Sequence, residues 1–341
     1  MTKIRAGKIR VGINGFGRIG RCTFKQLLDD EHFEVVGIND LANLDDLAYL
    51  LKYDSVHGWY SGKVGLEGPN LLVSGHPIPF FQKREPREIP WDDLGAQIVI
   101  ESSGVFRDRA EAAGHLEGGA RRVIISAPSK DADQTCVPGV NHQLYDPDEH
   151  TIVSLASCTT NCLAPVAKVL HEAFGIERLL MTTVHAYTAS QSLMDKPVRH
   201  RRRGRAAAVS IIPTSTGAAK ATELVLPELR GKMDGMAMRV PVVDGSIVDA
   251  TATLETEPSV EEVNAAFEEA ASKPPLEGIL RVTDEALVSR DIIGDTHSSV
   301  VNARDTMAVG RMVKVLSWYD NEWGYSARLK DFALHMADQG L

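Results

Sequence analysis

The first half of the chain alternates short β-branched runs with amphipathic stretches. Apolar runs at 9–14, 33–39, 98–101 and 123–126 have the length and composition of buried strands, whereas 18–29 and 45–53 carry apolar residues at helical spacing. Strands separated by helices predict a parallel, doubly wound α/β sheet, because a parallel neighbour is reached only through a crossover long enough to hold a helix. The Gly- and Pro-rich region 60–90 breaks the rhythm and is predicted as a small antiparallel insertion.

Beyond residue 157 the pattern changes. One helical segment is followed by longer apolar runs at 179–184, 235–241 and 246–254, then by a helix over 260–272 in which Val260, Val263, Ala266 and Phe267 share a face. This order predicts an α+β second domain, with helices covering an antiparallel or mixed sheet. The expected division is a first domain of 1–157, completed by a C-terminal helix at about 326–341, and a second of 158–325. A chain of 341 residues suits two domains.

Residues 11–21 read VGINGFGRIGR, a G-x-G-x-x-G directly after a strand and at the start of a helix. Gly15 permits the tight turn, Gly17 lets a pyrophosphate approach the backbone, and Gly20 lets helix and strand pack closely, while free N–H groups at the helix start face the phosphates. Such a motif by itself is also an ordinary glycine turn. Here the second strand ends at Asn39-Asp40, which places Asp40 where a carboxylate accepts the adenosine ribose 2′-OH. The first domain is therefore expected to be a Rossmann dinucleotide-binding domain, and a carboxylate that repels a 2′-phosphate favours NAD over NADP.

The segment 154–163 reads SLASCTTNCL. Small and hydroxyl residues lead into a helix, so Cys158 is expected in its first turn, where the helix dipole and free amides favour a thiolate. Cys162, four residues on, faces the same side and is expected to pack rather than react, as are Cys22 and Cys136. Pro165 removes a helical hydrogen bond and predicts a kink. His185, ending the strand run 181–184, is a candidate base for the thiol, although a lone histidine is more often structural.

Hydrophobic residues make up 43 % of the chain and charged residues 24 %, the balance of a soluble globular protein. With 37 Lys and Arg against 46 Asp and Glu, the net charge of −9 argues against a nucleic acid held by the whole surface. An anionic substrate needs a local basic pocket instead. The N-terminal residues Lys3, Arg5, Lys8 and Arg10 are not followed by an unbroken apolar run, so no signal peptide is expected, and no stretch approaches the roughly 20 apolar residues of a membrane span. The four cysteines show neither disulfide density nor Cys/His metal spacing, so the expectation is no metal and a reducing, cytoplasmic location.

The strings at 14–21 (NGFGRIGR), 157–162 (SCTTNC), 182–185 (TTVH), 213–220 (PTSTGAAK), 239–241 (RVP) and 317–326 (SWYDNEWGYS) occur in an order that resembles the phosphorylating glyceraldehyde-3-phosphate dehydrogenase family. The resemblance spans nearly the whole chain. It implies that Cys158 attacks the aldehyde of glyceraldehyde 3-phosphate, that hydride passes to NAD, and that phosphate displaces the thioester as 1,3-bisphosphoglycerate, with His185 as acid/base partner. It also implies two anion sites: Thr188 and Arg239 for the substrate phosphate, and Ser157, Thr159, Thr216 and Gly217 for the attacking phosphate, with Arg203 beside them. For NAD it implies Gly15, Gly17, Arg18, Ile19, Gly20, Asp40, Arg84, Ser126 and Asn321, of which Arg84 and Ser126 rest on shorter matches.

The basic run 196–205 (KPVRHRRRGR), taken alone, suits a nucleic-acid patch or a solvated loop. The resemblance implies a loop lying against a neighbouring subunit's cofactor, hence a homotetramer with no nucleic acid as primary partner. Lys196 falls where NAD-specific members often carry an apolar residue, which raises some tolerance of NADP. Two other readings compete: erythrose-4-phosphate dehydrogenase, and a relative whose main role is redox sensing or RNA binding. The intact STGAAK string favours the phosphorylating enzyme over the first, and the presence of Cys158, His185 and the arginines favours it over the second.

Overall fold

A computed structural model describes residues 7–341, so Lys3 and Arg5 of the basic N-terminus lie outside the described residues. The chain forms two compact units. The first runs to Cys136 and adds His142–Ala156 and Ser326–Leu341; the second comprises Val137–Asn141 and Ser157–Tyr325.

In the first unit, β1 (Ile9–Asn14), α1 (Arg18–Leu28) and β2 (Phe33–Asn39) form the expected βαβ opening. Helix α2 (Leu44–Lys52) starts where the Asn43 side chain accepts the Asp45 N–H at 2.8 Å. A short hairpin, β3 (Tyr53–Asp54) with β4 (Gly58–Trp59), stands apart from the main sheet. Strands β5 (Val64–Glu67), β6 (Asn70–Val73) and β7 (His76–Phe81) are the antiparallel insertion, and β7 joins it to the main sheet by pairing parallel with β2. The winding resumes with β8 (Ile98–Glu101), two one-turn helices α3 (Arg109–Ala112) and α4 (Gly114–Glu117), then β9 (Arg122–Ile125), β10 (Gln134–Thr135) and β11 (Ile152–Ser154).

The nine strands run in the order β10-β11-β9-β8-β1-β2-β7-β6-β5. From β10 to β7 all pairs are parallel, and β1, β8 and β9 are buried almost throughout, which is why they read as continuous apolar runs. The chain departs from β1 toward β2 on one side and returns to β8 on the other. The carboxyl ends of β1 and β8 thus flank the point where the winding reverses, the usual seat of a ligand in such sheets.

The second unit opens with α5 (Cys158–Phe174) and β12 (Ile176–Ala186), followed by β13 (Ile212–Ser215), α6 (Ala218–Val225), β14 (Met233–Val240), β15 (Ser246–Leu254) and α7 (Val260–Ala271). Strands β16 (Leu280–Thr283), β17 (Ser299–Asn302), β18 (Met307–Val309) and β19 (Met312–Tyr319) complete it. The sheet order is β13-β14-β12-β15-β19-β17-β16, with β18 against β19. It is mixed, since β12 pairs with β14 and β16 with β17 in parallel while the other pairs are antiparallel. Strand β15 alternates buried and half-buried residues along its whole length, as one covered face requires. Helix α7 begins in a capping box: Ser259 Oγ accepts the Glu262 N–H at 3.1 Å, and Glu262 Oε2 accepts the Ser259 N–H at 2.8 Å. Helix α5 continues through Pro165 to Phe174. The last helix, α8 (Trp323–Gln339), belongs to the first unit from Ser326 onward.

Candidate active site

Helix α5 is aimed by the residues before it. Ser154 Oγ donates to the Ala127 carbonyl at 2.7 Å and accepts the Ala156 N–H at 3.0 Å. Ala156 sits at φ 54°, a left-handed conformation that costs an L-residue about 1–2 kcal/mol. Ser157 is the N-cap, its Oγ accepting the Thr160 N–H at 3.0 Å, so Cys158 is the first helical residue. Its Sγ lies 3.6 Å from His185 Nε2.

His185 is the penultimate residue of β12 and is paired in register with Arg239 on the parallel strand β14. Arg239 Nη1 donates to the Ala186 carbonyl at 2.9 Å and lies 2.7 Å from His185 Nδ1, which is also 2.7 Å from that carbonyl. Nδ1 cannot serve both partners in one tautomer. Donating to Ala186, it leaves the Nε2 lone pair facing Sγ, the form able to take the thiol proton.

Burial pushes the Cys158 thiol up to about 11, against the opposing charge of Arg239 and hydrogen bonds from Thr159. The expectation that a helix start alone favours the thiolate is therefore corrected: desolvation outweighs it. Burial, reinforced by the charge of Arg239, likewise pushes His185 down to about 3. Proton transfer from Sγ to Nε2 creates opposite charges across the 3.6 Å contact, an attraction on the order of 4–5 kcal/mol at an effective dielectric of about 20. Ionising together is thus far easier than ionising either group alone.

Tyr319 lies within the 317–326 string, whose pattern does not reveal what its hydroxyl does. Its hydroxyl joins Thr159 Oγ1 at 2.9 Å to Thr183 Oγ1 at 2.7 Å, and its ring stands edge-on to His185. Cys162 is buried, with Sγ 3.6 Å from the Ser317 carbonyl, and burial raises its thiol to about 12. Burial alone raises Cys136 to about 12, and Cys22 is also buried.

The same unit gathers features suited to anions. Arg203 donates from Nε to Thr214 Oγ1 at 3.0 Å, and its charge lowers the pKa of Arg239 after burial, so the two guanidinium groups share one field. Arg239 Nε is buried with no hydrogen-bond partner among the described residues. Thr216 Oγ1 accepts the Ala218 N–H at 3.2 Å, and Gly217 caps α6 with open space where a Cβ would stand. Thr188 follows β12, its hydroxyl 2.8 Å from Ser190 Oγ.

In the first unit the glycine turn has the build of a nucleotide seat. A Cβ on Gly15, which sits at φ 91°, would lie 2.4 Å from the Ser103 nitrogen, and one on Gly20 would lie 2.1 Å from the Gly15 carbonyl. Gly17 has open space there instead, at the start of α1. Asp40 Oδ2 accepts the Phe16 N–H at 2.7 Å, which fixes the carboxylate against the turn. The Arg18 side chain is held by Asp54 at 2.8 Å. Ile19 is half-buried on α1, Arg84 is exposed after β7, and Ser126 follows β9 with its N–H on the Glu101 carbonyl. Asn321 lies in the second unit, its Oδ1 accepting the Ser246 hydroxyl at 2.6 Å.

A nucleotide seat in one unit and, in the other, a thiol beside a histidine and two arginines define the class: an NAD-dependent oxidoreductase acting on an aldehyde. Two family models match, the glyceraldehyde 3-phosphate dehydrogenase NAD binding domain over residues 9–109 and the C-terminal domain over 157–321. The chain is 56 % identical to glyceraldehyde-3-phosphate dehydrogenase of Geobacillus stearothermophilus over 98 % of its length and 99 % of that relative. It is 54 % identical to glyceraldehyde-3-phosphate dehydrogenase 1 of Bacillus subtilis, with the same coverage, and 53 % identical to the Streptomyces coelicolor enzyme over 97 % of this chain and 99 % of that one. The chain belongs to the glyceraldehyde-3-phosphate dehydrogenase family.

Proposed function

We propose that the protein oxidises glyceraldehyde 3-phosphate, with NAD and inorganic phosphate, to 1,3-bisphosphoglycerate through a thioester on Cys158. The observation that carries the catalytic roles is the 3.6 Å contact between Cys158 Sγ and His185 Nε2. His185 takes the thiol proton as Sγ adds to the aldehyde carbon. It returns that proton to the aldehyde oxygen, which gives the hemithioacetal hydroxyl, and as neutral imidazole takes it up again when the same carbon gives up its hydride and becomes the thioester. NAD, when bound, supplies the hydride acceptor. Gly15, Gly17, Gly20 and Asp40 fit it, since the turn leaves no room for a Cβ at Gly15 and Gly20 and stays open at Gly17. Arg18, Ile19, Arg84, Ser126 and Asn321 complete the proposed set.

Arg239, whose buried Nε lacks a partner, is assigned with Thr188 to the substrate phosphate. Ser157, Thr159, Thr216, Gly217 and Arg203 are assigned to the attacking phosphate, where the starts of α5 and α6 supply free N–H groups. The decisive assay follows NADH formation from glyceraldehyde 3-phosphate with and without inorganic phosphate, with erythrose 4-phosphate in parallel. Phosphate-dependent turnover of the triose is expected. Preferential turnover of the tetrose without phosphate would move the assignment to the erythrose-4-phosphate enzyme.

A homotetramer is proposed on apolar side chains left outside the core. Leu193, Met194, Val209 and Ile211 are exposed beside the basic loop, as are Leu180, Met307, Val309 and Met312 on the strands of the second sheet. Light scattering should give about four times the chain mass of 37.1 kDa, and a monomer would reject the reading. No helix among the described residues is long and apolar enough to cross a membrane. The four free cysteines support a cytoplasmic location.

A further inference from the structure

One buried hydroxyl stands where three strand ends of the second unit meet, and the proposed reaction gives it no part. Ser246, the first residue of β15, is 1 % exposed and pairs in register with Tyr319 of β19. On its other side, β15 pairs with β12 as far as Ile247 and Val184. Two residues past Val184 the Ala186 N–H turns to a side chain instead, and Ser246 Oγ accepts it at 3.1 Å. The same oxygen lies 2.6 Å from Asn321 Oδ1. That separation suits O–H···O and is short for N–H···O, so the hydroxyl donates its one hydrogen to the amide oxygen. Ser246 thus accepts from the residue after the base and donates to a side chain assigned to NAD.

The consequence falls on Asn321. It is only 6 % exposed, and the turn that carries it is clamped by its neighbour: Asp320 Oδ1 accepts the N–H groups of Glu322 and Trp323, and Oδ2 accepts that of Gly294 at 2.8 Å. Turning the amide over would set Nδ2 against the hydroxyl and lose the 2.6 Å bond, so one orientation is held. In that orientation the two Nδ2 hydrogens meet no acceptor among the described residues. The chemistry nearby says what such a donor can meet. The carbon that loses hydride is bonded to Cys158 Sγ, 3.6 Å from His185 Nε2, and His185 Nδ1 lies on the Ala186 carbonyl. The ring that takes the hydride must touch that carbon. The Asn321 amide is one hydroxyl away from the same Ala186. Nicotinamide bears a carboxamide beside its hydride-accepting carbon, and the carbonyl of that group is an acceptor matched to an N–H donor.

We propose that Ser246 is a positioning residue that holds the Asn321 amide with its nitrogen free, so that an N–H donor meets the carboxamide carbonyl of the nicotinamide. This rests on Asn321 belonging to the NAD seat. The test compares NAD with ADP-ribose, which keeps the adenosine, pyrophosphate and second ribose but lacks the ring. Each is titrated calorimetrically into cofactor-free wild type and Ser246→Ala. The ratio of NAD to ADP-ribose dissociation constants is expected to rise roughly 3–10-fold in the variant, the share of one hydrogen bond, while ADP-ribose binds as before. Equal weakening of both ligands, or an unchanged ratio, would make Ser246 a packing residue and overturn the proposal. Ser246→Cys, close in shape but a weak donor, should raise the ratio part of the way, and no rise there would overturn the proposal even where Ser246→Ala does not fold. Asn321→Ala should raise the ratio at least as far, and adding Ser246→Ala to it should change nothing more, because the hydroxyl acts through the amide. A further rise in the double variant would overturn the positioning role. An unmoved ratio in Asn321→Ala would remove Asn321 from the seat, and wild type that binds neither ligand would remove the seat itself.

Discussion

Arg239 brings a guanidinium nitrogen to 2.7 Å from His185 Nδ1, and its charge adds to burial in keeping the imidazole neutral, while the Ala186 carbonyl that both groups meet holds Nδ1 and leaves Nε2 to Cys158. The thiol depends on that imidazole because burial, outweighing Arg239 and Thr159, holds it near 11. His185→Asn should therefore shift the pH profile of iodoacetamide alkylation at Cys158 upward, toward that value, and lower kcat by roughly 10²–10⁴-fold. An unmoved alkylation profile would show that the two groups do not share a proton.

Cys158→Ser should abolish turnover, because a hydroxyl has no comparable anionic population at neutral pH. Cys162→Ala should keep most activity and cost about 1 kcal/mol of stability, the loss expected for a small group removed from a packed site. Equal loss of activity in the two variants would show that the cysteines had been assigned the wrong way round.

Tyr319→Phe deletes a hydroxyl that holds Thr159 to Thr183, leaving two buried threonines to find new partners. A cost of about 1–3 kcal/mol is expected from urea unfolding. Since Thr159 adjoins the nucleophile, kcat should fall as well; a variant that loses stability with unchanged kcat would confine Tyr319 to packing.

Asp244 is fully buried, and desolvation followed by the charges of Asp320 and Glu322 raises its pKa to about 9. The folded state thus holds a proton that the unfolded chain releases near pH 4. Its contribution to stability is whole below about pH 4 and declines as pH rises through about 9. Asp244→Asn should be more stable than wild type at pH 8 and no more stable at pH 4. Parallel pH–stability curves for the two proteins would contradict this.

The doubly wound sheet was legible because β1, β2, β8 and β9 are buried runs whose composition needs no partner to be recognised. The starts of α5 and α7 were legible too, since Ser157 and Ser259 act within three residues of themselves. Strand order in the second sheet was not, because β12 reaches β14 and β15 only through long connections and periodicity does not record partners. Tyr319 escaped for the same reason: its hydroxyl partners are 160 and 136 residues away. The restraint on His185 by Arg239 appears only when β12 and β14 lie side by side. Ser246 looked like one more strand residue until Ala186 and Asn321 were brought to it by the fold.

The first unit includes a segment, Ser326–Leu341, that the chain reaches only after the whole second unit. On α8, Leu329, Phe332 and Met336 are buried, and the Phe332 ring stacks edge-on against Tyr145. During synthesis the part that emerges first is thus the last to be finished. Its apolar seam stays uncovered until α8 leaves the ribosome, and a chain cut short anywhere before Ser326 would be fit for chaperones rather than for use.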